Sequence, residues 1–181
     1  MIVFITGGAK NGKSSLAQDI AAAMANGGRH YYIATMIPSD EEDLERIRRH
    51  REDRAGMGFE TVECGRNILS CLEQVDANAS FLLDSATALL LNELFPDPTS
   101  CEMDTDSAHR CGDDLVKLAQ TVANIVIVSD YIYSDAQRYD QVTETYRRCL
   151  ASIDRKLASV SDTVIEVSAG NILLHKGVMP V

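Results

Sequence analysis

The chain has 181 residues, and 45% of them are hydrophobic. That suits one domain with a sizeable core and excludes a disordered chain. A net charge of −10 argues against a general nucleic-acid binder, which carries a basic stripe.

No apolar run reaches the roughly 18 residues of a bilayer span. The opening MIVFITGG has no basic leader, so a signal peptide is not expected. Cys64, Cys71, Cys101, Cys111 and Cys149 match no zinc or redox spacing. An odd set of thiols without a leader fits a reduced, cytoplasmic setting.

In chain order, Met1–Thr6 reads as a buried strand and Lys13–Ala25 as a helix ended by Asn26-Gly27-Gly28. Arg29–Thr35 is the next strand. Ser39-Asp40-Glu41-Glu42 starts a helix, with a capping side chain and acids at the positive end of its dipole. That helix runs to about Asp53. Phe59–Glu63 reads as a strand, Arg66–Gln74 as a helix and Ser80–Asp84 as a buried strand. Ala86–Phe95 is a helix ended by Pro96 and Pro98. Pro96–Ser107 is an acidic loop. A helix over Ala108–Thr121, a strand over Asn124–Ser129, a loop over Asp130–Gln137 and a long helix over Arg138–Val160 follow. Thr163–Val167 and Asn171–His175 flank Ser168-Ala169-Gly170 as a hairpin. The alternation predicts an α/β fold, a three-layer domain over residues 1–181, which the motif Gly7–Ser14 marks as P-loop NTPase-like. Its sheet is mostly parallel and ends in an antiparallel hairpin.

Gly7-Gly8-Ala9-Lys10-Asn11-Gly12-Lys13-Ser14 fits the phosphate-binding pattern G-x-x-x-x-G-K-[ST] between a strand and a helix. Glycines let backbone N–H groups turn towards phosphate oxygens, and the helix N-terminus adds a positive end. Lys13 suits the outer phosphates and Ser14 a magnesium ion. A magnesium cofactor also calls for an acid at a neighbouring strand end. Asp84 and Asp130 both qualify.

The segment Leu44 to Arg54 is dense in charge. Leu44, Ile47 and His50 are spaced by three, so they share a helix face. That spacing predicts a body-facing stripe with His50 at its far end and arginines around it. Such a histidine could bind phosphate passively or attack phosphorus, with guanidinium groups stabilising the phosphoryl oxygens. A solvated, salt-bridged helix is the plainer alternative. His30, His109 and His175 lack such company and read as structural.

Four stretches together resemble one family: ITGGAKNGKS, YIAT, RIRRHREDR followed by FETVE, and LLD before an Ala/Leu helix carrying Asn92 and Phe95. They resemble the bifunctional adenosylcobinamide kinase / adenosylcobinamide-phosphate guanylyltransferase of cobalamin biosynthesis. The resemblance implies a transferase using ATP or GTP, a corrinoid substrate and a homo-oligomer, a trimer in known members. It implies that Gly7, Gly8, Ala9, Lys10, Asn11, Gly12, Lys13 and Ser14 hold nucleotide phosphates, and that Ala34, Thr35 and Met36 line the nucleotide site. Arg51, Glu52, Asp53, Arg54 and Glu63 would contact guanine nucleotide. His50 would carry GMP covalently, and Asp84 matches the family's strand-end acid.

Past Phe95 the pattern departs. The family's Asn-Glu-Val-Gly is Asp130-Tyr131-Ile132-Tyr133 here, and its Asn-Gln on the long helix is Ile153-Asp154. Two other readings stand beside this one. One is a P-loop kinase or nucleotidyltransferase acting on another small alcohol or phosphate. The other is a non-catalytic nucleotide binder that switches through Pro96–Ser107.

Overall fold

The computed structural model describes residues 1–97, 99, 100 and 102–180. Pro98 and Cys101 lie outside the described residues. One sheet of seven strands runs β3-β2-β4-β5-β1-β6-β7. The strands are β1 (Ile2–Gly7), β2 (His30–Ala34), β3 (Glu60–Glu63), β4 (Ser80–Asp84), β5 (Asn124–Asp130), β6 (Thr163–Ser168) and β7 (Asn171–Lys176). All neighbours are parallel except β6 and β7, which close the edge as the expected hairpin.

The helices are α1 (Lys13–Ala25), α2 (Glu41–Asp53), α3 (Ala86–Leu94), α4 (Thr105–Thr121) and α5 (Gln141–Val160). The strands read as unbroken apolar runs because helices cover both faces of the sheet. In β4, Phe81 and Leu83 point into the core that includes residues of α3, α4 and α5, while Leu82 points towards α1. Ser80 also faces α1, where its hydroxyl donates to the Ala21 carbonyl at 2.9 Å.

Capping explains where the helices differ from the sequence reading. Asp104 accepts from Ser107 N, so α4 begins at Thr105 and the acidic loop is shorter than expected. Asp140 accepts from Val142 N and Thr143 N, so α5 begins at Gln141, after Arg138. The helix expected over Arg66–Gln74 is instead a 3-10 turn over Ile68–Glu73.

The largest difference concerns α2, which buries none of its residues. Leu44 is 56% exposed, so of the expected Leu44/Ile47/His50 stripe only the half-buried Ile47 and His50 face the body. The helix stands on solvent-side ion pairs, Arg48 with both Glu45 and Glu52, at i,i+3 and i,i+4 spacing. Its C-terminal cap, Arg54, is buried and secures the helix end to the sheet.

Candidate active site

Parallel strands of one sheet place their carboxyl ends along one edge, where α/β folds bind ligands. Register puts Gly7 beside Asp130, Asp84 beside Val128, and Ala34 between Asp84 and Glu63. Residues far apart in the chain therefore line up along that edge.

The glycine-rich loop leaves β1 at Gly7, where a Cβ would collide with the carbonyl oxygen of Val167. At Gly12 the chain turns with φ +89°, a conformation that favours glycine, and α1 begins. Lys13 is buried at the start of α1. Its ammonium donates to Gly8 O at 2.6 Å and pairs with Asp130 at 2.6 Å. Asp130 is itself positioned by its backbone N–H, which donates to Thr87 Oγ1 at 2.8 Å. The ammonium is thus held at the mouth of the loop by a carboxylate.

A cleft of about 500 Å³ opens above this loop. Ala9, Lys10, Asn11, Gly12, Lys13 and Ser14 form one wall, and Asp84 and Asp130 stand at the strand ends. The opposite wall is α2, which contributes Glu42, Arg46, Arg49, His50 and Asp53. The steps 42, 46, 49, 53 follow the four- and three-residue rhythm of one helix face.

A second, smaller pocket of about 40 Å³ lies beneath the same helix. Its lining includes Ala34, Met36, Ile47, Arg51, Arg54, Glu63 and Asp84. His50, Arg46 and Asp84 line both cavities. His50 Nδ1 stands 3.8 Å from Asp84 Oδ2. Tyr32 donates to the same oxygen at 2.9 Å. Burial, and after it the Asp84 charge, hold the Tyr32 phenol well above its ordinary range, so it remains a donor.

Arg54 fixes the floor. Its guanidinium lies 3.7 Å from the centre of the Tyr32 ring. It donates to His50 O at 2.8 Å and to Thr61 Oγ1 at 3.2 Å. Arg51 pairs with Glu63 at 2.9 Å across the pocket mouth.

Most of the residues singled out in the sequence meet here, but Gly7, Gly8, Thr35 and Glu52 do not line either cavity. Thr35 is fully buried, and its hydroxyl is spent on Ser85, donating to O at 2.8 Å and accepting from N at 2.7 Å. It ties the ends of β2 and β4 together beneath the pocket. Glu52 faces solvent with Arg48. Arg46 and Arg49, two of the arginines expected around His50, line the phosphate-loop cleft, and their spacing from His50 and Asp53 carries the signal. The plain reading of His30 holds, for it bridges Gly28 O and Met57 O at 3.0 and 2.7 Å.

Comparison with known proteins adds a family. The profile described as cobinamide kinase / cobinamide phosphate guanyltransferase matches residues 3–174. The "Bifunctional adenosylcobalamin biosynthesis protein CobU" of Salmonella typhimurium is 25% identical over 181 residues, covering 94% of this chain and 97% of that protein. The protein of the same name from Escherichia coli is 25% identical over 179 residues, with the same coverage of 94% and 97%. Among solved structures, an ATPase domain is similar with a TM-score of 0.55 at 12% identity, over 97% of this chain and 76% of that one. The flagellar accessory protein FlaH from Methanocaldococcus jannaschii gives 0.50 at 14% identity, over 99% and 79%. These likenesses establish the P-loop α/β fold.

Proposed function

The chain belongs to the cobinamide kinase / cobinamide phosphate guanyltransferase family, and we propose that it carries both activities, acting on adenosylcobinamide. One observation carries the reading: His50 lines both the phosphate-loop cleft and the pocket under α2, beside Asp84.

In the first step the acceptor hydroxyl attacks the γ-phosphorus of ATP or GTP. The new P–O bond forms as the bond to the β-phosphate oxygen breaks, and the hydroxyl proton passes by way of a phosphate oxygen to solvent. Lys13 leaves Asp130 and stabilises charge on the phosphoryl oxygens. In the second step His50 attacks the α-phosphorus of GTP and pyrophosphate leaves. With Nδ1 turned to Asp84, the lone pair of Nε2 is the one free to attack. The phosphorylated acceptor then displaces His50, breaking the P–N bond and giving adenosylcobinamide-GDP. Covalent catalysis divides the transfer into two displacements.

Backbone N–H groups of Gly7 to Ser14 would hold the phosphates. Ala34, Met36, Arg51, Arg54 and Glu63 would surround the guanosine, and Asp53 would reach the cleft side. Ser14 and Asp84 would hold magnesium. A hydroxyl and one carboxylate on the same cleft are hard oxygen donors, and magnesium takes its remaining ligands from phosphate and water. Bound there, the ion would neutralise phosphate charge during transfer. A homotrimer belongs to the same reading and is tested by mass in solution.

The deciding experiment uses GTP labelled at the α-phosphate. An acid-labile, base-stable adduct on the wild type and none on His50→Ala supports a guanylyl-histidine. Full label on His50→Ala overturns it. A P-loop kinase for another alcohol is the second reading, motivated by Asp130-Tyr131-Ile132-Tyr133. Turnover of an unrelated alcohol, and none of cobinamide, would favour it.

A further inference from the structure

The segment after β5 has no helix or strand from Tyr131 to Asp140, yet a buried side chain organises it. Arg147, on the first half of α5, has a side chain only 8% exposed. Its guanidinium donates to Ile132 O at 3.0 Å, Gln137 O at 3.1 Å and Asp135 O at 3.4 Å. It pairs with Asp135 at 2.7 Å and Glu144 at 2.8 Å, and lies 4.9 Å from the centre of the Tyr139 ring. Burying a guanidinium is costly unless its donors are satisfied, and here the loop itself supplies acceptors. The arrangement gives the irregular segment a fixed shape.

The loop begins at the chemistry. Asp130 holds Lys13, and the next N–H, of Tyr131, donates to Gly7 O at 3.2 Å. Further along, Asp135, Gln137, Arg138, Tyr139, Glu144 and Arg148 surround Arg147 in an open cleft of about 410 Å³. Ile132 and Tyr139 are exposed at 37% and 39%.

We propose that this cleft, shaped by Arg147, is where the bulk of the acceptor rests while its hydroxyl arm reaches the phosphate loop. The inference rests on the two-step reading above. The lining sets guanidinium, carboxylate and carboxamide groups side by side. That mixture suits a large ligand whose rim both donates and accepts hydrogen bonds, as carboxamides do, and suits an anion poorly. The exposed Tyr139 ring adds an apolar face to stack against. Arg147 is a positioning residue, because it acts through the loop.

The test measures cobinamide phosphorylation against both substrates. Arg138→Ala changes an exposed side chain, and Tyr139→Ala also removes the ring beside Arg147 and the hydrogen bond to Asp135. Each is expected to raise KM for cobinamide by roughly tenfold while kcat and nucleotide affinity stay unchanged, the pattern of lost uniform binding. Arg147→Lys keeps the charge and loses the planar fork. It is expected to raise the same KM and to speed amide exchange across 131–140. Unchanged KM in Tyr139→Ala and Arg138→Ala, with an active wild type, overturns the inference alone. A wild type that neither turns over nor binds cobinamide overturns the functional reading and this inference with it.

Discussion

His50 Nδ1 lies 3.8 Å from Asp84 Oδ2, the oxygen that Tyr32 also holds by hydrogen bond. A histidine on a helix that buries nothing is thereby brought to the end of a central, buried strand. Nδ1 is the ring nitrogen turned to that carboxylate, and Tyr32 fixes the carboxylate.

Removing the charge at that carboxylate should therefore harm both steps, whereas removing the ring should harm one. Asp84→Asn keeps an acceptor for Tyr32 but loses orientation of His50 and the proposed metal contact. Its guanylylation rate is expected to fall about a hundredfold, with phosphorylation falling too. His50→Asn is expected to lose guanylylation and to keep phosphorylation within about threefold, since the ring acts only in the second transfer. Single-turnover incorporation of α-label, beside nucleoside diphosphate release, separates the two.

Lys13 and Asp130 give a second expectation. The pair is partly buried, with side chains 5% and 23% exposed, and a nucleotide must compete with it for the ammonium. Pairs of this kind are worth about 1 kcal/mol. Asp130→Asn should therefore tighten nucleotide binding by about fivefold. Calorimetric titration with GTP, giving an equal or weaker affinity than wild type, would count against that competition. Lys13→Ala should abolish both transfers.

The phosphate loop was legible because its chemistry is local: glycines, a lysine and a hydroxyl within one short stretch, read between an apolar strand and a helix. The strand order and the meeting of Asp84 with His50 were not local. They depend on β4 lying between β2 and β5, which no spacing along the chain encodes. Leu44 misled for the opposite reason. Its spacing from Ile47 is right for a buried face, but α2 is held by Arg54 and by ion pairs, and the leucine is left in water. The burial of Arg147 was not legible either, because along the chain a guanidinium under a loop looks like any other arginine on a long helix.

Arg54 makes a third expectation about motion. It is the buried cap of a helix that buries nothing else. Cutting it back to alanine removes the Tyr32 stack and two hydrogen bonds, which should release α2 without unfolding the sheet. In Arg54→Ala, amide exchange over Glu41–Asp53 should approach that of an unstructured peptide, while protection in β1, β4 and β5 is kept. Guanylylation should fall with it. Wild-type protection of α2 in the variant would show that the helix is held some other way.

Asp154 makes the last expectation, and it concerns pH. The residue is 4% exposed on α5, Tyr133 donates to Oδ2 at 2.7 Å, and Oδ1 has no partner among the described residues. Burial pushes its carboxyl up to about 6, helped by the nearby Asp130 charge and opposed by the hydrogen bond from Tyr133. An acid whose folded value is raised binds its proton more tightly in the native state than in the unfolded chain. Its contribution is fully present below the unfolded value and is lost as pH rises through the folded one. From this group alone, stability should fall by on the order of 3 kcal/mol between about pH 4 and pH 7. Asp154→Asn cannot ionise, so it should remove that slope and be the more stable protein at about pH 7.5. Urea unfolding across the range measures both. A slope that persists in Asp154→Asn would assign it to the other carboxylates.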